Sequence, residues 1–452
     1  MTLRVPAIAV PAFALTWWLA CYLVGRDPAR AAGRRAAGAL IAYSAGVVAW
    51  TVAPASTTAE VLLAAPALFW AGAAVALLPA FVPERRQIER GWLVVSGAFV
   101  LITVLLPPTG RLIVLAPLVG GLSLLWRFRD QVEPRLIPLA LSLVAMLYGA
   151  ALVLLFGPAD LGAPWLAIAA IGVDVLILGY LVAVAEATDV GERLRPDLSR
   201  SLVAAVGGLL LAGGPVILTM FVTSSRLVAV FQFAVVGVVM TVLGLGGPVH
   251  RMLDRVAFWS DERLRDDRHA LFLLGEALPR RRERSRMIAT SEADFQRFVR
   301  QALDHYADVG RLMRSPLTDL PAVDRRLAKS RVEQPLARAH ELRHVLEEAV
   351  AGLRPTGPFG TGDEWRYYNA LYFCCLLGLK PYSAKKTDGL DPEARRTIEW
   401  IRQYVPRHLL RRWQTEGAAK VARDLWDDMV STDPRWLTRL SAGKRPSTTR
   451  ST

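Results

Sequence analysis

PWLAIAAIGVDVLILGYLVAVA, residues 164–185, is 22 residues long and carries one charged side chain, Asp174. Wound as a helix at about 1.5 Å per residue it reaches about 33 Å, the thickness of a bilayer's hydrocarbon core. Backbone N–H and C=O groups in lipid have no water to turn to, so such a run must be helical. Working outward from it, comparable apolar stretches cover 6–25, 36–53, 61–82, 92–106, 112–126, 136–156, 202–222 and 227–245. The chain is 452 residues long and 53% hydrophobic, and these stretches concentrate that character in its first half. The reading is all-α: a polytopic bundle of about nine spans, followed by an all-helical soluble domain. The stretches 92–106 and 112–126 are short, at roughly 22 Å each. They are parted only by Pro107-Pro108-Thr109-Gly110, so two short spans and a re-entrant hairpin (seven spans in all) both fit.

Charge placement sets the expected orientation. Up to His250 the sequence has 16 Arg, no Lys and 12 acidic residues. Thirteen of the 16 arginines fall in alternate loops: Arg26, Arg30, Arg34 and Arg35; Arg85, Arg86 and Arg90; Arg127, Arg129 and Arg135; Arg193, Arg195 and Arg200. The other loops and the N-terminus hold only Arg4, Arg111 and Arg226. Basic loops stay on the cytoplasmic side, so the N-terminus is expected outside, and everything after Leu245 inside, the plasma membrane of a cell. The first run has one basic residue ahead of it and no prompt small-x-small site, which reads as a retained span rather than a cleaved leader. Cys21, Cys374 and Cys375 offer neither a CxxC pair nor a disulfide framework.

These signals divide the chain into a membrane domain (1–247), a juxtamembrane helical stalk (248–286), a helical cytoplasmic domain (287–441) and a disordered basic tail (442–452). In the stalk, Met252, Leu253 and Val256 recur at helical spacing, and residues 280–286 add a basic cluster suited to anionic lipid. Beyond it the periodicity predicts helices over 292–313, 336–353, 365–379, from Pro392, and from Pro406 to about Met429. Alternating strand patterns do not occur.

Three features carry candidate chemistry. Asp174 is the acid near the middle of a span, where an ionisable group is a functional candidate by default. It either meets a cation or proton in a wet cavity, or accepts hydrogen bonds from Tyr148 or Gln232 and merely joins helices. His340-Glu341-Leu342-Arg343-His344 fits HExxH: two imidazoles share a helix face for zinc, and Glu341 activates the bound water. Against that, Arg343 suits a solvated surface, and no separate third ligand stands out. The segment 395–425 resembles a helix-turn-helix, with Val405-Pro406 as the turn and Arg407, Arg411 and Arg412 facing phosphate. Leu410, Trp413, Ala418, Val421 and Leu425, however, form an apolar face fit for an ordinary helix pair. No Walker loop, kinase glycine-rich lid or Gly-x-Ser-x-Gly elbow is present.

The stretches SPLTDLPAV (315–323), GTGDEWRYYNALYF (360–373), GLKPYS (378–383) and VPRHLLRRWQTEGAAKVARDLW (405–426) resemble a family of uncharacterised bacterial multi-span membrane proteins. That resemblance implies the same two-part architecture and supplies no catalytic residues. More loosely, Arg26-Asp27-Pro28 and the 250–258 stalk make the first half similar to seven-span sensor regions of histidine kinases, without their kinase domain. The leading expectation is a non-enzymatic membrane sensor or signalling scaffold that needs no cofactor and binds a cytoplasmic protein partner. The alternatives are a membrane-anchored zinc hydrolase using His340, Glu341 and His344, and a membrane-tethered regulator that binds nucleic acid.

Overall fold

The computed structural model describes residues 4–54, 56–78, 85–129, 136–157, 164–222 save 191 and 193, 225–258, 268, 271, 291–328, 334–382 and 391–432. Among them there is no strand. The chain divides into two compact units, one of residues 1–189 and 194–266, the other of 190–193 and 267–452.

Nine helical segments among the described residues are long and apolar enough to cross a membrane. They are built from α1 (Arg4–Arg26), α2 (Ala31–Val52), α3 and α4 (Thr57–Ala64, Pro66–Ala76), α5 (Arg85–Leu105), and a 3-10 turn, Pro108–Val114, continued by α6 (Leu115–Arg127). Then come α7 (Ile137–Phe156), α8 (Pro164–Val190), α9 and α10 (Arg195–Gly208, Gly214–Val222) and α11 (Arg226–Gly244). The two stretches that look short as apolar runs are full length as helices, 19 and 20 residues. The first starts within a charged turn that hydropathy leaves out, and the second starts in the 3-10 turn.

Large apolar side chains point outward on the lipid-facing helices: Leu93, Val94, Leu101 and Leu105 on α5, Met146 on α7, Leu211 and Val222 around α10. In water such a band is untenable; in a bilayer it is the solvent-matched surface. Inside, where apolar burial gives little drive, helices are joined by polar pairs and close backbone approach. Thr16 and Ser44 hydroxyls meet at 2.7 Å between α1 and α2. Trp17 Nε1 donates to Thr241 Oγ1 at 2.8 Å on α11, and Tyr22 to Asp197 at 2.7 Å on α9. A Cβ at Gly244 would stand 2.5 Å from the Cβ of Cys21, so only glycine lets α11 cross α1 there. The helix α12 (Gly246–Ala257) begins directly after the last span and clusters with the membrane unit. The stalk expected from 248 is thus part of that unit as far as Ala257, with Met252, Leu253 and Val256 exposed. The basic cluster at 280–286 and the tail from 442 lie outside the described residues.

The second unit is a helical bundle of α13 (Glu292–Asp304), α14 (Val309–Arg314), α15 (Pro321–Leu327), α16 (Pro335–Ala351), α17 (Arg366–Leu371), α18 (Pro392–Tyr404) and α19 (Arg407–Thr432). Ser291 caps α13 by accepting from Asp294 N–H. The expected single helix over 292–313 is two, because Asp308 caps a new start by accepting from Arg311 N–H at 2.9 Å. Its core holds Phe295, Leu303, Leu317, Leu342, Leu346, Leu371, Val421 and Trp426, with Phe295 edge-on to Trp426 at 5.2 Å. The 365–379 run is α17 followed by a π turn, Tyr372–Leu376, and Gly378 at φ 65° closes it.

Candidate functional site

In α8 the inward stripe is Ile171, Asp174, Val175, Leu178 and Val182, at helical spacing, while Val173 faces outward. Gly172 allows α2 to come close: a Cβ there would lie 2.4 Å from the Tyr43 hydroxyl, which donates to Ile168 O at 2.8 Å. Asp174 is thereby held inside the bundle at 5% exposure. No described residue donates a hydrogen bond to it or ion-pairs with it, and Tyr148 on α7 is a titratable group that feels its charge. An ionised carboxylate at mid-membrane costs roughly 2.5–3.5 kcal/mol even on permissive insertion scales. Unpaired burial is the arrangement that helix joining does not explain.

Neither hydrogen bond expected of Asp174 forms. Gln232 Nε2 donates instead to Thr219 Oγ1 at 2.6 Å, joining α11 to α10. The Tyr148 hydroxyl donates to the backbone oxygens of Leu63 and Ala64, both at 3.3 Å. Those oxygens are available because the third span is broken. Pro66 opens α4 without an N–H, and Leu68 N–H turns to Ala65 O at 3.0 Å, leaving carbonyls on the α3 side short of helical donors. Trp70, at 0% exposure, packs against Tyr148 with ring centroids 5.5 Å apart, and its Nε1 has no hydrogen-bond partner among the described residues. Around Tyr148 the fold therefore collects carbonyls under its hydroxyl and an indole N–H without an acceptor among the described residues.

About a turn from Leu63 and Ala64, Glu60 of α3 forms a buried ion pair with Arg111 of the 3-10 turn, whose Nε donates to Thr103 O at 3.2 Å. The apolar-run reading passes over Glu60 because it falls just before the run begins. Pro66 is the one sequence signal of the break; Trp70 gives none.

The second unit places its candidates differently. His340 and His344 are exposed on α16. Glu341 accepts from Arg326 Nε at 2.7 Å, and the same guanidinium reaches Glu348 at 2.6 Å, so the carboxylate is directed at an arginine. His344 Nδ1 lies 3.7 Å from Glu347. Among the described residues no group of three His, Cys, Asp or Glu is placed to hold a metal ion. At the α18–α19 corner, Trp400 and Trp413 stack at 5.9 Å and Tyr382 donates to Val405 O at 2.6 Å. Arg412 is bonded to Glu416 at 2.7 Å, and Arg407 lies over the Tyr382 ring at 5.1 Å; Arg411 is exposed. Burial pushes the thiols of Cys374 and Cys375 up to about 12, which leaves them protonated and poorly nucleophilic at neutral pH.

No protein-family model matches the chain, and no curated protein or solved structure matches it either. The comparisons add nothing to the resemblance read from residues 315–426.

Proposed function

We propose that this chain is a non-enzymatic sensor of the plasma membrane, with its N-terminus outside and its helical second unit in the cytoplasm. In this reading the intramembrane site around Asp174 receives the signal, and the soluble unit passes it on by binding a cytoplasmic protein. The observation that carries the reading is the buried Asp174 carboxylate, which has no hydrogen-bond or ion-pair partner among the described residues. A group kept at that cost serves something other than packing, and a ligand shifts a conformational equilibrium through its different affinity for the two states. The arginine bias of the loops supports the orientation. The geometry around Glu341 and Arg412 favours neither a hydrolase nor a nucleic-acid reader.

The test is photo-crosslinking in living cells, with a crosslinking residue placed on exposed positions of α16 and α19 of the full-length chain. The expected result is a discrete crosslinked protein whose yield changes in the Asp174→Asn variant at equal membrane abundance. A yield unaffected by that substitution, or no discrete product from any position, refutes the reading.

A further inference from the structure

We infer that α12 (Gly246–Ala257) is an in-plane membrane helix that lays its apolar face on an anionic lipid surface. The inference goes beyond the sensor reading and takes from it only the cytoplasmic placement, which sets the negative sign of the lipid.

The helix is built the wrong way round for water. A helix on the surface of a soluble protein turns its apolar side to the core and its charges outward. In α12 Asp254 is buried, while Met252, Leu253 and Val256 are each more than half exposed. At about 100° per residue, Met252 and Val256 stand opposite Asp254, with Leu253 flanking them. Since α12 packs on α1 and α11, its charged side is turned to its own unit and its apolar side points away.

The position of the helix supplies the lipid. The last span, α11, ends at Gly244 and α12 starts at Gly246. Leu245 leaves helical backbone between them, at φ −95° and ψ 36°. One residue spans about 4 Å, so α12 starts at the depth where the chain leaves the hydrocarbon. Val238 and Val242 on α11 are exposed apolar side chains, and such surface runs on from the span into α12.

Charge and area then choose lipid over protein. The sequence sets Arg251 and Arg255 one turn apart on α12, and Arg255 is exposed. Arginine beside an apolar stripe suits the headgroup layer, where its stem lies against hydrocarbon and its guanidinium meets phosphate. The anionic lipids of a cytoplasmic leaflet attract such residues. Three apolar side chains fall well short of the roughly 800 Å² per partner that a stable protein interface buries. A bilayer sets no such minimum for a helix already tethered to it.

The experiment places a nitroxide amino acid at position 252, 253 or 256 of the full-length chain in nanodiscs. It measures collision with oxygen, which dissolves in lipid, and with a water-soluble nickel chelate. Nanodiscs show the same lipid on both faces, so the result does not depend on orientation. With phosphatidylglycerol present, all three positions should be open to oxygen and shielded from nickel. Arg251→Gln combined with Arg255→Gln should shift the balance toward the nickel-exposed state by roughly 30-fold, a factor of about five for each arginine. Discs of phosphatidylcholine alone should do the same to the unsubstituted helix. A nitroxide at 256 that meets nickel freely in phosphatidylglycerol discs overturns the inference. Shielding from both reagents also overturns it, because protein then covers the face; dipolar broadening between labels would identify a second copy. Equal shielding from nickel in the two kinds of disc overturns the requirement for anionic lipid. The crosslinking test is untouched by any of these results, so the two readings fail separately.

Discussion

Arg338 is a buried charged side chain of the second unit, and replacing it has a calculable cost. It enters from α16 at 4% exposure and donates to Thr318 O at 2.9 Å and to Asp324 at 2.6 Å. It also lies 3.6 Å from Asp319, which is as buried as itself. In Arg338→Met the aliphatic stem is kept, so packing changes little, while a buried carboxylate loses its counter-charge. Breaking a buried pair from one side costs about 3–5 kcal/mol. Asp319 has further interactions, which places the expectation near the lower figure, about 3 kcal/mol. At roughly 2–4 °C per kcal/mol for a unit of this size, the Tm of the second unit should fall by about 6–12 °C. The assay is thermal unfolding of the full-length protein in nanodiscs, followed by the fluorescence of buried tryptophans such as Trp365 and Trp426. Adding Asp319→Asn should restore part of the loss, since the stranded charge is then gone. A Tm within about 2 °C of wild type, where this pair contributes below about 1 kcal/mol, would refute the reasoning.

Other consequences are equally direct. Tyr148→Phe should lower membrane-unit stability by about 1–3 kcal/mol by stranding the freed carbonyls, and by less in a Pro66→Ala background where the helix can close; a thermal-shift cycle in nanodiscs that is additive contradicts the role given to the break. The thiols of Cys374 and Cys375 ionise near 9 unfolded and near 12 folded. The folded state therefore holds more protons between those values, and stability should decline as pH rises above about 9. Replacing both cysteines by alanine should flatten that slope, read as Tm between pH 8 and 10.5; an unchanged slope refutes the assignment. Because Glu341 is taken by Arg326 and both histidines are exposed, chelator treatment should leave Tm unchanged and His340→Ala should not alter zinc content by elemental analysis; stoichiometric zinc lost with His340→Ala contradicts this.

Much of the fold is legible in the sequence because lipid imposes one strong rule, a long apolar helix, on each span. The same rule hides what matters inside. Residues 61–82 are apolar throughout, so hydropathy gives no sign that the break at Pro66 turns Leu68 N–H from Ala64 O to Ala65 O or that Trp70 Nε1 finds no acceptor among the described residues. Asp174 is visible because a charge in that run is rare, but its neighbours are not: Gln232 is equally polar and is used up by Thr219. In the second unit, HExxH is a spacing on one helix, whereas the side chain that directs Glu341 comes from Arg326, 15 residues earlier. Periodicity also runs straight through 292–313, since it cannot weigh the Asp308 cap against one more helical turn.

Transmission to the cytoplasm depends on which side of the bilayer the second unit occupies. The decisive measurement fuses, in parallel, a fluorescent protein and alkaline phosphatase to the full chain after the last span. The account predicts a bright fluorescent fusion and an inactive phosphatase. A dark fluorescent fusion with an active phosphatase would place the helical unit outside and contradict it.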